Sequence, residues 1–76
     1  AQLAIALEKQ GRRAEAQLAT AESAYNVGDF PRAYSFASRA VLELDQGTPV
    51  ARRAADIRNA TDPELPENAA YWRRRG

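Results

Sequence analysis

Residues 28–44, GDFPRAYSFASRAVLEL, read as a turn followed by a helix, and that reading decides the fold. Gly28 can take the left-handed conformation that ends a helix, and Asp29 can accept backbone N–H groups at the start of the next. Pro31 falls in the first turn, where a missing N–H costs nothing. After it, Ala33, Ala37, Ala40, Val41 and Leu44 recur at spacings of three and four and share one face. Small residues on a buried face let two helix backbones approach closely. The stretch is therefore the second half of an antiparallel helical hairpin.

The first half lies upstream. Ala4, Leu7, Gly11, Ala14, Leu18, Ala21 and Tyr25 alternate at three and four without a break, so one helix over about residues 2–27 keeps them on one side. Glu8, Glu15 and Glu22 repeat on its flank, and Glu8 stands one turn before Arg12, where the two can pair. Gly11 works against this helix by about 1 kcal/mol relative to Ala. KQGRRAEA (9–16) also reads as a turn between two short helices, which would make residues 1–10 the tail of a preceding unit. The continuous phase favours a single helix.

Downstream, the second helix runs from about Phe30 to Gln46. Tyr34 and Phe36 flank its alanine row on either side, so it is expected to pack against two neighbours. Arg32, Arg39 and Glu43 lie on its other side, and Leu42 falls outside the apolar arc as an exposed residue or a contact surface. Gly47-Thr48-Pro49 combines a helix stop, an N-cap and a first-turn proline, opening a third helix over about residues 49–60. Val50, Ala54 and Ile57 form its buried stripe, with Arg52, Asp56 and Asn59 opposite. Thr61-Asp62-Pro63 closes it. Pro63 and Pro66 exclude a continuing helix, and Glu67–Arg75 either forms one short helix from Pro66 or stays extended. The expected fold is all-α: an antiparallel three-helix domain over residues 1–61 and an irregular, Pro-containing tail over 62–76.

Seventy-six residues, 17 of them Ala, make a thin core, marginal without a partner or a neighbouring domain. Eleven basic residues against ten acidic ones leave a net charge of +1, which is no nucleic-acid signature. Ten of the bases are Arg, suited to forked contacts with carboxylates. No run of eighteen apolar residues occurs, and the start carries no export pattern. The absence of Cys excludes disulfides and thiolate zinc sites without fixing a compartment.

Gly28-Asp29-Phe30, then Ala33, Ala37 and Ala40, and the VLELD ending (41–45) together resemble a tetratricopeptide repeat, a helix-turn-helix unit of about 34 residues. Leu18, Ala21, Glu22 and Tyr25 approximate the pattern of that unit's first helix. The resemblance covers about residues 14–47, and the third helix would begin another unit or cap this one. Three positions depart from the pattern: no Trp opens the unit, Glu22 replaces a small residue, and Asp45 stands where Pro often closes it. A three-helix bundle of the microtubule-interacting-and-trafficking type is similar in size. The repeat resemblance implies that Ala33 lies close to the facing helix, and that peptides are received on the face of the first helix.

With neither His nor Cys, the chain has no imidazole base, no thiolate nucleophile and no ligand of either kind for a metal. The carboxylates are scattered beside bases, and the four glycines stand singly, so no phosphate loop is formed. No catalytic residue, metal site or cofactor is expected.

Three binding features are readable. Tyr34 and Phe36 are either core or an aromatic surface. Thr20, Ser23 and Asn26 with Arg52, Asp56 and Asn59 would line a groove between the first and third helices and bind a partner there. Tyr71, Trp72, Arg73, Arg74 and Arg75 suit a membrane interface or a partner contact, unless Trp72 folds back onto the hairpin. Such a cluster also suits nucleic acid, a partner disfavoured by the lack of other basic surplus. The expected function is a non-catalytic protein–protein interaction module, a scaffold or adaptor docking a peptide or helix of its partner. The alternative is a juxtamembrane or self-assembling structural segment, with a homo-oligomer as the partner.

Overall fold

The computed structural model describes residues 2–73, and side chains from Gly11 onward. Three helices carry the fold: α1 over Gln2–Asn26, α2 over Phe30–Glu43 and α3 over Pro49–Ala60. A 3-10 turn at Pro66–Asn68 then leads into a short α4, Ala69–Arg73. The central helix is α2, which packs against both α1 and α3, and α1 and α3 also touch each other. The hairpin is antiparallel: Tyr25 meets Phe30 beside the turn, ring centroids 5.6 Å apart, while Arg13 meets Glu43 at the far end, 3.2 Å apart. With 25 residues against 14 in α2, α1 is longer by about 16 Å.

The helix α1 passes through Gly11 without a break, and a Cβ built there meets nothing within 4 Å. The expected Glu8–Arg12 pair and the side chains of Ala4 and Leu7 lie outside the described residues. At the other end the chain closes a Schellman turn. Gly28 takes φ 81°, its N–H donates to the Tyr25 carbonyl at 3.1 Å, and the Asp29 N–H donates to Ala24 at 2.8 Å. One residue serves both helices, because the Asp29 carboxylate then accepts the Arg32 N–H at 3.3 Å and caps α2. The α3 start is built the same way: Thr48 Oγ1 accepts the Ala51 N–H at 3.2 Å, ahead of Pro49.

The end of α2 differs from the expectation. The helix stops at Glu43 rather than Gln46, and Leu44 turns extended with φ −93° and ψ 150°. No glycine or proline stands at that point. The side chain of Leu44 packs against the core, and the Asp45 carbonyl accepts the Thr48 hydroxyl at 2.9 Å. Both contacts need the chain to leave the helix early, so the next helix's cap sets the stop.

Among the described residues, eight of the eleven buried core hydrophobics are alanine. Ala14 and Ala21 from α1, Ala33, Ala37 and Ala40 from α2, and Ala54 from α3 are all completely buried, so the helices meet almost backbone to backbone. Leu18 and Ile57 are the larger aliphatics among them, with Tyr25, Phe36, Val41, Leu44 and Val50 sealing the rim.

The tail folds back over this core, and of the two sequence readings it is the short helix that forms. Asn68 is 4% exposed and gives its side-chain N–H groups to the Ala60 and Asp62 carbonyls at 2.8 and 2.9 Å. Trp72 Nε1 donates to the Thr61 carbonyl at 2.9 Å, and the Thr61 hydroxyl to Ile57 at 2.7 Å. Carbonyls at a helix end have no intrahelical partner; here those at the end of α3 are paired with side chains. The Tyr71 ring stacks on Phe30, 4.0 Å between centroids and 12° apart in plane, and covers Gly28. The break in composition at Asp62 is therefore not a break in packing.

Candidate functional site

Two adjoining clefts open at the α1–α2 turn. One, about 510 Å³, is lined by Val27, Gly28, Asp29, Pro31, Arg32, Ser35, Phe36 and Tyr71. The other, about 520 Å³, is lined by Ala19, Thr20, Ser23, Ala24, Val27, Asp29 and Arg32. They share Val27, Asp29 and Arg32, so they form one surface that bends around the turn. Val27 is 80% exposed there because Gly28 reverses the chain before its side chain can reach the core. Tyr71 enters the same surface only because α4 folds back.

The charged groups along α2 are unequally engaged. The Arg32 and Arg39 guanidiniums lie over the Phe36 ring, 5.4 and 5.2 Å from its centroid. Among the described residues neither is joined to a carboxylate, whereas Asp29 is occupied as a cap and Glu43 by Arg13. Positions 32, 36 and 39 fall on one face of a helix.

The residues expected to line a groove between α1 and α3 fall on different surfaces, Thr20 and Ser23 in one cleft and Arg52 in another. Positions 20, 23 and 26 each fall about 60° short of a full turn from the last, so they fan across the outer side of α1. Thr20 and Ser23 line the cleft on the α2 side, and the Thr20 hydroxyl donates to the Ala16 carbonyl at 3.1 Å. Asn26 is exposed on the opposite flank. On α3, Arg52, Asp56 and Asn59 point away from the core and are exposed. Arg52 lines a separate cleft of about 320 Å³ with Val41, Gln46, Gly47 and Arg58. Where α1 and α3 touch, Glu22 also pairs with Arg53 at 3.7 Å.

Tyr34 and Phe36 are half-buried. Tyr34 meets Trp72 edge to face, at 5.7 Å and 72°. Of the terminal cluster, Tyr71 and Trp72 are turned onto the protein and Arg73 is exposed. Arg74 and Arg75 lie outside the described residues. Val27, Arg32 and Arg39 were not among the expected site residues. The spacing of 32, 36 and 39 was readable, but nothing local distinguishes a stacked arginine from a solvated one.

Among the described residues no helix is long and apolar enough to cross a membrane, and no group of three or more acidic side chains could hold a metal ion. No family model, no curated protein and no solved structure matches the chain.

Proposed function

We propose that this chain is a non-catalytic protein–protein interaction module, a tetratricopeptide-like hairpin acting as scaffold or adaptor. The observation that carries the reading is the surface at the α1–α2 turn. There the exposed Val27 and the partly exposed Tyr71 flank Arg32 beside two clefts. Apolar anchors next to a forked donor are what a peptide partner needs, since burial supplies affinity and the guanidinium supplies orientation. The site moves from the α1 face implied by the resemblance to the turn and the valley beside it. An unbiased displayed peptide library tests this. Selected peptides should shift the backbone amide signals of residues 20–36 and of Tyr71. If the library yields no binder and these amides never move, the reading fails.

The self-assembling alternative has one observation of its own. The helix α1 is longer than α2, and the apolar repeat of Ala4 and Leu7 continues into its early part. Sedimentation equilibrium separates the two readings: a monomer favours the module, and a dimer with a concentration-dependent melt favours assembly. The juxtamembrane form of that alternative has less support, because Tyr71 and Trp72 spend their rings on Phe30 and Tyr34.

A further inference from the structure

We propose that Arg32, Phe36 and Arg39 form a receptor for an extended, acidic segment of a partner protein, with carboxylates on residues three apart. The inference rests on the interaction-module reading and names the chemistry of its partner.

Arginines on a helix surface are ordinarily mobile and solvated, and most of the entropy of a new contact is lost in fixing them. Here one aromatic ring holds two of them. Phe36 is itself half-buried against the core, and both guanidiniums lie within 5.4 Å of its centroid. A guanidinium held over a ring is attracted by its quadrupole without needing a hydrogen-bond acceptor, so the donors that fork onto a carboxylate stay available. Positive charge is also in local surplus. Glu43 pairs with Arg13, and Asp29 keeps its charge while capping the Arg32 backbone N–H, so the two arginines over the ring, with no carboxylate partner among the described residues, leave one positive charge over.

Geometry sets the spacing. Seven residues of α2 separate the two arginines, a rise of about 10 Å. Three residues of an extended polyproline-II segment cover about 9 Å and complete one turn, so acids three apart return to the same face. Arg32 and Phe36 line the cleft at the α1–α2 turn, and Arg39 continues that face of α2. Exposed apolar side chains stand at both ends of the run, Val27 and Tyr71 near Arg32 and Leu42 one turn beyond Arg39. The partner segment therefore places apolar residues between its acids.

The test uses the full chain and a fluorescein-labelled 12-residue peptide carrying Glu at every third position with Leu between, alongside the same peptide with Lys for Glu. Fluorescence anisotropy should show binding of the Glu peptide only, weakening as salt is raised. Arg32→Gln with Arg39→Gln should weaken it at least tenfold with an unchanged circular dichroism spectrum. Arg39→Lys, which keeps the charge and loses the fork, should fall between. Equal binding by the double variant and the parent, or equal binding of the Lys peptide, would overturn the inference. A displayed library that selects peptides without acids would sink it too and leave the module standing. Failure of both the library and the Glu peptide would sink the two together.

Discussion

The helical hairpin and the tail wrapped over it are held by opposite means. In the hairpin, completely buried alanines let α1, α2 and α3 approach closely, and each methyl takes little apolar area out of water. At about 25 cal/mol per Å² such a core is wide but shallow in energy. In the tail, a few large groups act at single points: Tyr71 stacked on Phe30, Trp72 edge-on to Tyr34, and indole and amide N–H groups on the carbonyls of Ala60, Thr61 and Asp62. Aromatic pairs add roughly 0.5–1.5 kcal/mol beyond their area, and leaving a buried carbonyl unpaired costs about 1–3 kcal/mol. The difference teaches that a core of small residues determines shape and leaves stability to be completed from outside it. Here α4 and the turn before it do so.

Substitutions on either side of this contrast should rank accordingly. Ile57→Ala removes the most deeply buried large aliphatic among the described residues, 1% exposed, and should lower unfolding free energy by roughly 2–5 kcal/mol in urea titrations. Against a total of about 4–11 kcal/mol for a chain of this length, that unfolds much of the population. Trp72→Ala comes next, at roughly 2–3 kcal/mol, because the ring is only half-buried. A loss as large as that of Ile57→Ala would mean that the tail is worth more than the core. Asn68→Ala leaves the Ala60 carbonyl without its side-chain partner and the Asp62 carbonyl with only the Leu65 N–H, and should cost about 1–2 kcal/mol, with faster amide exchange at Thr61 through Asn68. The smallest effect has the opposite sign. Gly11→Ala has open space for its methyl and should raise stability by about 1 kcal/mol, seen as a later urea midpoint with unchanged Trp72 emission.

Much of the hairpin was legible because its signals are local. Thr48-Pro49 and Thr61 through Pro63 placed both ends of α3, and Gly28-Asp29 placed the turn, since each cap is made by residues within a few positions. The α2 end was not legible, because Leu44 leaves the helix to meet the core and the Thr48 cap. The tail was half legible: its prolines showed where a helix cannot be, but nothing in PENAAYW says that Asn68 will find Ala60 or that Tyr71 will cover Gly28. The candidate site was read least well. Periodicity showed that Thr20, Ser23, Asn26, Arg52, Asp56 and Asn59 face away from the cores of their helices. Whether those outer faces confront each other depends on how the helices are arranged, which no local pattern records.

The most direct test of the claim that the tail completes the core uses the chain's one tryptophan. Urea unfolding followed by Trp72 fluorescence and by circular dichroism at 222 nm should give a single transition with one midpoint, because the ring held at Thr61 is released only when the helices separate. A Trp72 signal that drifts away at low urea while the helical signal persists would contradict it, and would reduce the tail to an appendage of a hairpin stable without it.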